Sequence, residues 1–238
     1  MKGAIVTGAG KGLGKAIALM LAYEGYGVAI NYNKGKANAD RTLKLLRKVN
    51  KDCIAVQGDL TKETDVKRLV TLAKTKFGRI DVLVNNIGDF LHKPLLQTSK
   101  KELMDVVNNN TTTVFLCSKA VLPTMKKQKH GRVVNIGSVG CDELLAPDNT
   151  TPYYIGKTGV WLLTKALAKN VSDGVTVNMV SPGILKTSVV KPEGAKYTEL
   201  HDVANAAMLL IQSSHNGKNM TVAKRKPEGR ALRTERFL

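Results

Sequence analysis

Tyr153 and Lys157 stand four residues apart in Tyr153-Tyr154-Ile155-Gly156-Lys157, a spacing that puts both on one face of a helix. A free phenol, with a pKa near 10, is a sluggish proton shuttle at neutral pH. An ammonium beside it stabilises the phenolate, lowers that pKa and makes the tyrosine usable as a general acid or base. Spacing alone decides little, because Tyr32 and Lys36 share it near a strand end with no partner motif. Tyr153 has better company. The run Arg132-Val133-Val134-Asn135-Ile136 leads into Gly137-Ser138, which predicts a strand delivering a hydroxyl at its carboxyl end. A hydroxyl there can donate to a carbonyl oxygen on which negative charge develops. By itself Ser138 reads as an ordinary loop or cap residue; its neighbours give it weight.

A second chemistry is written near the start of the chain. Thr7-Gly8-Ala9-Gly10-Lys11-Gly12-Leu13-Gly14 lies where the strand Ala4-Ile5-Val6 hands over to a helix marked by Leu13, Ala16, Ile17, Met20 and Leu21. Glycines at 8, 12 and 14 permit a tight turn and close backbone approach to a pyrophosphate, and the helix N-terminus offers free N–H groups to the anion. Sites for NAD place an acidic residue ~20 residues past the glycines to hold the ribose 2′-hydroxyl. Here the second strand ends in Asn31-Tyr32-Asn33-Lys34, and no carboxylate occurs between Glu24 and Asp40. Lys11 and Lys34 could instead neutralise a 2′-phosphate, with Asn33 beside them, although either lysine also suits a solvated surface. The missing acid favours NADP(H).

Positioning these groups requires strands alternating with helices, and the pattern supplies them. Strand-like runs occur at 4–6, 28–30, 53–56, 80–84, 132–136, 175–180 and 220–222. Between them lie helical periodicities, including a long helix from about Lys100 to Met125, one from Pro152 to about Asn170 and one around Val203–Ile211. The expectation is an α/β, doubly wound (Rossmann) parallel sheet with helices on both faces, its crevice beyond the carboxyl ends of the strands. Without repeats or a linker, residues 1–223 read as a single dinucleotide-binding and catalytic domain. Residues 224–238 read as a basic, solvated C-terminal tail.

The chain has 238 residues, 43% of them hydrophobic and 24% charged, enough to bury roughly 70–75% of its extended surface without staples. Cys53, Cys117 and Cys141 form no C-x-x-C pair, which argues for a reducing compartment. Cys141 is either a thiol near the site or, more simply, a small apolar filler. His92, His130, His201 and His215 show no ligand-like pairing, so no metal is expected. No signal-peptide core or stretch of ~18 apolar residues is visible, so a cytoplasmic protein without membrane contact is expected. The net charge of +18 comes from 37 Lys+Arg against 19 Asp+Glu. It suits a solvated basic surface or a polyanionic partner; without interleaved aromatics, no specific nucleic-acid binding is expected.

Taken together, these motifs resemble the short-chain dehydrogenase/reductase family over about residues 3–212. Thr7–Gly14 is similar to its glycine motif, and Asn85-Asn86-Ile87-Gly88 to its N-N-A-G segment, with Ile in place of Ala. Ser138, Tyr153 and Lys157 follow the order of its catalytic residues, and Asn110 in Asn110-Thr111-Thr112-Thr113 resembles its helix asparagine. Asp59-Leu60 resembles the adenine-contacting pair, and Ser181-Pro182-Gly183 with Thr187 the segment near the nicotinamide amide. The resemblance implies hydride transfer between nicotinamide and a carbonyl carbon, with Tyr153 as proton donor and Ser138 orienting the carbonyl. It also implies that Lys157 holds the ribose and tunes Tyr153, and that Asn110 supports a water relay. Cofactor contacts are thereby expected at Thr7, Gly8, Lys11, Gly12, Leu13, Gly14, Asn33, Lys34, Asp59, Leu60, Asn86, Gly88, Tyr153, Lys157, Pro182, Gly183 and Thr187.

The nearest branch resembles the 3-oxoacyl-acyl-carrier-protein reductases of fatty acid biosynthesis, which implies a ketone substrate on an acidic carrier protein or CoA, and a homo-oligomer (tetramer or dimer). A dehydrogenase of a sugar, polyol or other small alcohol is the alternative within enzymes. A binding protein on a reductase scaffold is the alternative outside them. Two departures stand out. The stretch between Gly183 and His201 is shorter than the family's substrate lid, and the glycine pair usual after the last strand is replaced by Ala223-Lys224-Arg225.

Overall fold

Short runs of β-branched and aliphatic residues without polar alternation are the signature of strands covered on both faces. The computed structural model, which describes residues 1–171, 173–191 and 193–224, assembles seven of them. Strands β1 (Gly3–Val6), β2 (Gly27–Tyr32), β3 (Ile54–Gln57), β4 (Val82–Asn85), β5 (Gly131–Ile136), β6 (Val175–Pro182) and β7 (Asn219–Val222) form one sheet in the order β3-β2-β1-β4-β5-β6-β7. Every pairing is parallel. The expected doubly wound sheet is thus observed. From Arg225 onward, the basic tail lies outside the described residues.

Helices α1 (Gly12–Tyr23), α2 (Lys36–Val49), α3 (Glu63–Phe77), α4 (Lys100–Val107), α5 (Thr113–Gln128), α6 (Thr151–Asn170) and α7 (Leu200–Gln212) cover the sheet. One core cluster joins Ile17 and Leu21 of α1 and Ala207 and Leu210 of α7 to β1, β2 and β4. A second joins Leu69 and Ala73 of α3 and Val121 and Met125 of α5 to Ile5, Leu83 and Val133 on the opposite face. Strand order reverses between β1 and β4, the kind of switch point at which doubly wound sheets bind their ligands. Among the described residues no helix is long and apolar enough to cross a membrane.

The long helix expected from Lys100 to Met125 is interrupted. Between α4 and α5, residues Asn108–Thr112 form a π-helical turn. The cause is local: the side chains of Asn109 and Asn110 donate to the carbonyls of Asp105 and Val106, and the Thr113 hydroxyl donates to the carbonyls of Asn109 and Asn110. Asn and Thr compete with the backbone ladder in this way, and the extra residue accommodated by a π-turn is frequent at functional positions.

At the amino-terminal ends of the two central strands, Asp81 ties β1 to β4. Its carboxylate accepts from Gly3 N at 2.9 Å and from the Arg79 guanidinium, and its own N–H donates to Gly3 O at 2.7 Å. A side chain at residue 3 has no room, since its Cβ would lie 2.3 Å from the Arg79 carbonyl. Replacing Asp81 by Ala orphans a buried N–H, so urea denaturation should show a loss of about 2 kcal/mol. A loss below about 0.5 kcal/mol would show that this clamp is dispensable.

Candidate active site

Helix α6 starts at a Pro in its first turn, a position where the missing N–H costs nothing. Tyr153 therefore lies in the first turn and Lys157 one turn later. The ring of Phe90, from the loop after β4, meets the Tyr153 ring edge-on at 4.9 Å between centroids. Ser138 follows β5, and its hydroxyl is near enough to the Tyr153 phenol to pull its pKa down against the larger effect of burial. The Lys157 ammonium, fully buried, lies 5.8 Å from the centre of the Tyr153 ring and donates to the Ile136 carbonyl at 2.8 Å.

Electrostatics here run opposite to the expectation from spacing. Burial pushes the Tyr153 phenol up to about 12, with the Ser138 hydroxyl acting in the other direction. Burial also brings Lys157 down to about 8. The lysine does not depress the phenol in this state because desolvation dominates, and the ammonium is engaged by Ile136.

Asn110 reaches the same place from the π-turn. Its Nδ2 donates to Asp89 O and Val106 O, both at 2.9 Å, whereas its buried Oδ1 has no partner among the described residues. A Cβ on Gly88 would fall 2.5 Å from that Oδ1 and 2.8 Å from Lys157 Nζ. Gly88, Asn110 and Lys157 thus converge on one point. Helix α6 admits the π-turn through two further glycines. A Cβ on Gly156 would lie 3.0 Å from Asn110 Cβ, and one on Gly159 would lie 2.7 Å from Thr111 Oγ1. Neither was among the expected site residues; glycines inside a helical pattern were the available signal.

The glycine turn is built as its composition requires. Gly8 and Gly12 have φ of 60° and 59°, a region costly for other residues. A Cβ on Gly14 would lie 2.6 Å from Asn86 Nδ2. That amide donates to the carbonyls of Thr7 and Gly8, while the Thr7 hydroxyl accepts from Asn86 N at 2.9 Å. Leu13 anchors the turn in the core.

A residue that the sequence argument passed over, Asn31, holds the turn from below. Its Oδ1 accepts from Gly8 N at 3.3 Å and its Nδ2 donates to Gly58 O at 3.0 Å, coupling the glycine turn to the end of β3. In the sequence it looked like one more strand residue.

The remaining expected contacts sit around this rim. Lys11 precedes α1 and is exposed, as are Asn33 and Lys34 after β2. The Thr61 hydroxyl holds the Asp59 carboxyl below its usual range and burial pushes the Asp89 carboxyl above it, with Lys34 a minor downward influence on each. The hydroxyl and N–H of Thr61 hold the Asp59 carboxylate, and Leu60 is buried. Gly183 N donates to Val222 O, and Pro182 ends β6. Thr187 is exposed in the loop after β6, whose ends are joined by a bridge between Leu185 and Thr198. Cys141 is buried against Val114, Val160 and Met179, the filler reading. Among the described residues no group of three His, Cys, Asp or Glu is placed to hold a metal.

The family described as short chain dehydrogenase matches residues 2–198 of the chain. A 3-oxoacyl-(acyl-carrier-protein) reductase from Synechocystis sp. is 40% identical over 189 residues, covering 79% of this chain and 76% of that protein. A protein of the same name from Staphylococcus epidermidis is 37% identical over 186 residues, 77% of this chain and 75% of the relative. The crystal structure of a candidate short-chain alcohol dehydrogenase from Sinorhizobium meliloti 1021 superposes with a TM-score of 0.84 over 92% of this chain and 93% of its own, at 23% identity; it shows the shared fold.

Lys157 gives the site a pH signature. Its folded-state pKa of about 8 lies below the ordinary 10.5, so between those values the unfolded chain binds a proton the folded chain has released. Stability should therefore rise with pH across that window. Denaturation of wild type and Lys157→Met at pH 7 and pH 10 should show wild type gaining about 2 kcal/mol relative to the variant. A constant difference would mean that the lysine is not desolvated.

Proposed function

The chain belongs to the short chain dehydrogenase family and is an oxidoreductase acting on CH–OH groups, and from that premise we propose that it uses NADPH to reduce a ketone to a secondary alcohol, best a 3-oxoacyl thioester. The observation that carries this reading is the meeting of Ser138, Tyr153 and Lys157 at the carboxyl end of β5, beside the glycine turn after β1.

The crevice fits a dinucleotide on its own terms. Positive φ at Gly8 and Gly12, the lack of room for a Cβ at Gly14 and the unpartnered Asn110 Oδ1 are features of a cradle. Thr7–Gly14 would hold the pyrophosphate, Asp59 and Leu60 the adenine, and Lys11, Asn33 and Lys34 the 2′-phosphate. Asn86, Gly88, Lys157, Pro182, Gly183 and Thr187 would hold the nicotinamide end. When bound, the cofactor supplies the hydride.

Everything else falls to the chain. With its phenol pushed up to about 12, Tyr153 keeps its proton at neutral pH, the state a general acid needs in the reducing direction. Ser138 donates to the carbonyl oxygen as charge develops there. Lys157 gives the Tyr153 phenolate a nearby cation once the proton has left, and Asn110 Oδ1 accepts from a water that reprotonates the pair. The relatives' names specify a carrier-borne acyl substrate, and a net charge of +18 suits an acidic carrier.

Tyr153→Phe should lower kcat for a 3-oxoacyl thioester by at least about 100-fold while nicotinamide fluorescence shows NADPH affinity within about twofold of wild type. Near-wild-type turnover would end the proton-donor assignment. Lys11→Ala combined with Lys34→Ala should weaken NADPH about tenfold and leave NADH nearly unchanged, as loss of two charge contacts to one phosphate requires. Equal losses for both cofactors would return these lysines to the solvated surface.

A further inference from the structure

Parallel topology sorts the two ends of this sheet. Each helix runs back against the strands it joins, so helix C-termini gather where the strands begin. The active-site groups lie at the other end, and β5, with six residues, keeps the two ends about 20 Å apart.

The end where strands begin is strongly cationic. The last turn of α3 carries Lys74 and Lys76, that of α5 Lys126 and Lys127, and that of α6 Lys169. These three helices pack on the same face of the sheet. Beside them, at the starts of β1, β4 and β5, stand Lys2, Arg79, Lys129, His130 and Arg132. All but His130 and Arg132 are exposed. The frame that displays them is fixed. Ile80 N donates to Gln128 Oε1 at 3.0 Å and Gln128 Nε2 to Ile80 O at 2.8 Å, joining the turn before β5 to the start of β4. The Arg132 guanidinium donates to Gly174 O and Ile211 O.

Acids are scarce here. Asp81 is buried and held by Arg79, and Asp52 is paired with Lys76 at 2.8 Å. Glu24 and Asp173 are the remaining acids of these turns among the described residues. Cations suit helix C-termini, which accounts for a charge or two at each helix end. The run Lys126-Lys127-Gln128-Lys129-His130-Gly131-Arg132 exceeds that need and is a basic heptapeptide of the kind that grips phosphates. Lys129 takes a φ of 52°, a conformation glycine or asparagine adopts at less cost.

This surface offers charge and little else. Tyr23 stands alone at the end of α1, and Tyr26 is half-buried with the Lys2 ammonium 5.6 Å from its ring centre. No series of rings therefore gives single-strand bases a stacking platform. The exposed Met1 and Tyr23 are too little apolar surface to anchor the face in lipid. Duplex DNA carries one charge per ~1.7 Å of its axis and is held through its phosphates whatever its sequence.

We propose that this end of the sheet is a docking face for the phosphate backbone of double-stranded DNA, without sequence preference, and that a duplex held there leaves the crevice open. The proposal does not rest on the reductase reading.

Binding of a short fluorescent random-sequence duplex by the full chain tests it. Two variants of equal net charge are compared. One combines Lys74→Gln, Lys126→Gln, Lys127→Gln and Lys129→Gln. The other combines Lys67→Gln, Lys100→Gln, Lys191→Gln and Lys196→Gln, exposed lysines nearer the crevice end. Wild type should bind, with an affinity that falls steeply with salt. The first variant should bind at least about tenfold more weakly and lose about three from the log–log salt slope, ~0.9 for each phosphate contact removed. The second should stay within about threefold of wild type. Equal losses would assign binding to overall charge and overturn the proposal, as would no binding by wild type.

A second measurement needs no variant. With the backbone amides isotopically labelled, saturating duplex should shift the NMR signals of Arg79 and of Lys126–Arg132 and leave those of Gly8–Gly14 in place. NADPH affinity should stay within about twofold, since uncoupled sites do not alter each other's binding. Shifts confined to the glycine turn, or competition between duplex and NADPH, would put the DNA in the crevice and defeat the proposal. Tighter binding of phosphatidylserine vesicles or of an acidic carrier protein at the same signals would give the face another occupant and sink the DNA assignment.

Discussion

An ammonium removed from water is costly to hold, and Lys157 is buried with its charge directed at the backbone carbonyl of Ile136. Much of the neighbouring architecture serves that placement. The last residue of β5 provides the acceptor, Gly88 leaves the space beside Nζ, and the π-turn brings Asn110 to the same point. Such a group costs stability at neutral pH, a cost the proposed role of Lys157 beside the Tyr153 phenol would explain.

A buried polar lattice braces this arrangement from beneath. Asn85 and Asn135 are register partners on β4 and β5, and Asn85 Nδ2 donates to Asn135 Oδ1 at 2.8 Å and to Ser118 Oγ of α5. Asn135 Nδ2 in turn donates to Thr164 Oγ1 of α6. The chain Ser118–Asn85–Asn135–Thr164 therefore fixes both helices to the strand ends that carry the site. Networks of this kind are stiff when satisfied; in this one Asn85 Oδ1 alone is left without a partner among the described residues.

Where meaning was local, the sequence displayed it. The glycine turn could be read because its backbone demands are met by residue type at consecutive positions, and strand periodicity placed it at the switch point. Ser138, Tyr153 and Lys157 were legible because a strand end and a helical repeat bring them together. Other features depend on tertiary contact. Asn31 looked like any strand residue, and its bonds to Gly8 and Gly58 exist only once β2 lies between β1 and β3. The run Asn108 to Thr113 gave no sign of a π-turn because an amphipathic pattern continues on both sides. The direction of the Tyr153 shift was missed for the same kind of reason: spacing places a lysine, but burial sets the dielectric around the phenol.

The loop after β6 has a closed neck. Leu185 and Thr198 form a bridge, Thr198 N donates to Ile184 O, and the Thr198 hydroxyl donates to Val222 O. Because the neck is fixed independently of what lies beyond it, the segment between those two residues behaves as a cassette. Longer or differently shaped loops could be grafted there with β6 and α7 left in register, and each doubling of the loop would add only about 0.6 kcal/mol of closure entropy. The closed neck thus makes this loop a part that could be exchanged without disturbing the sheet.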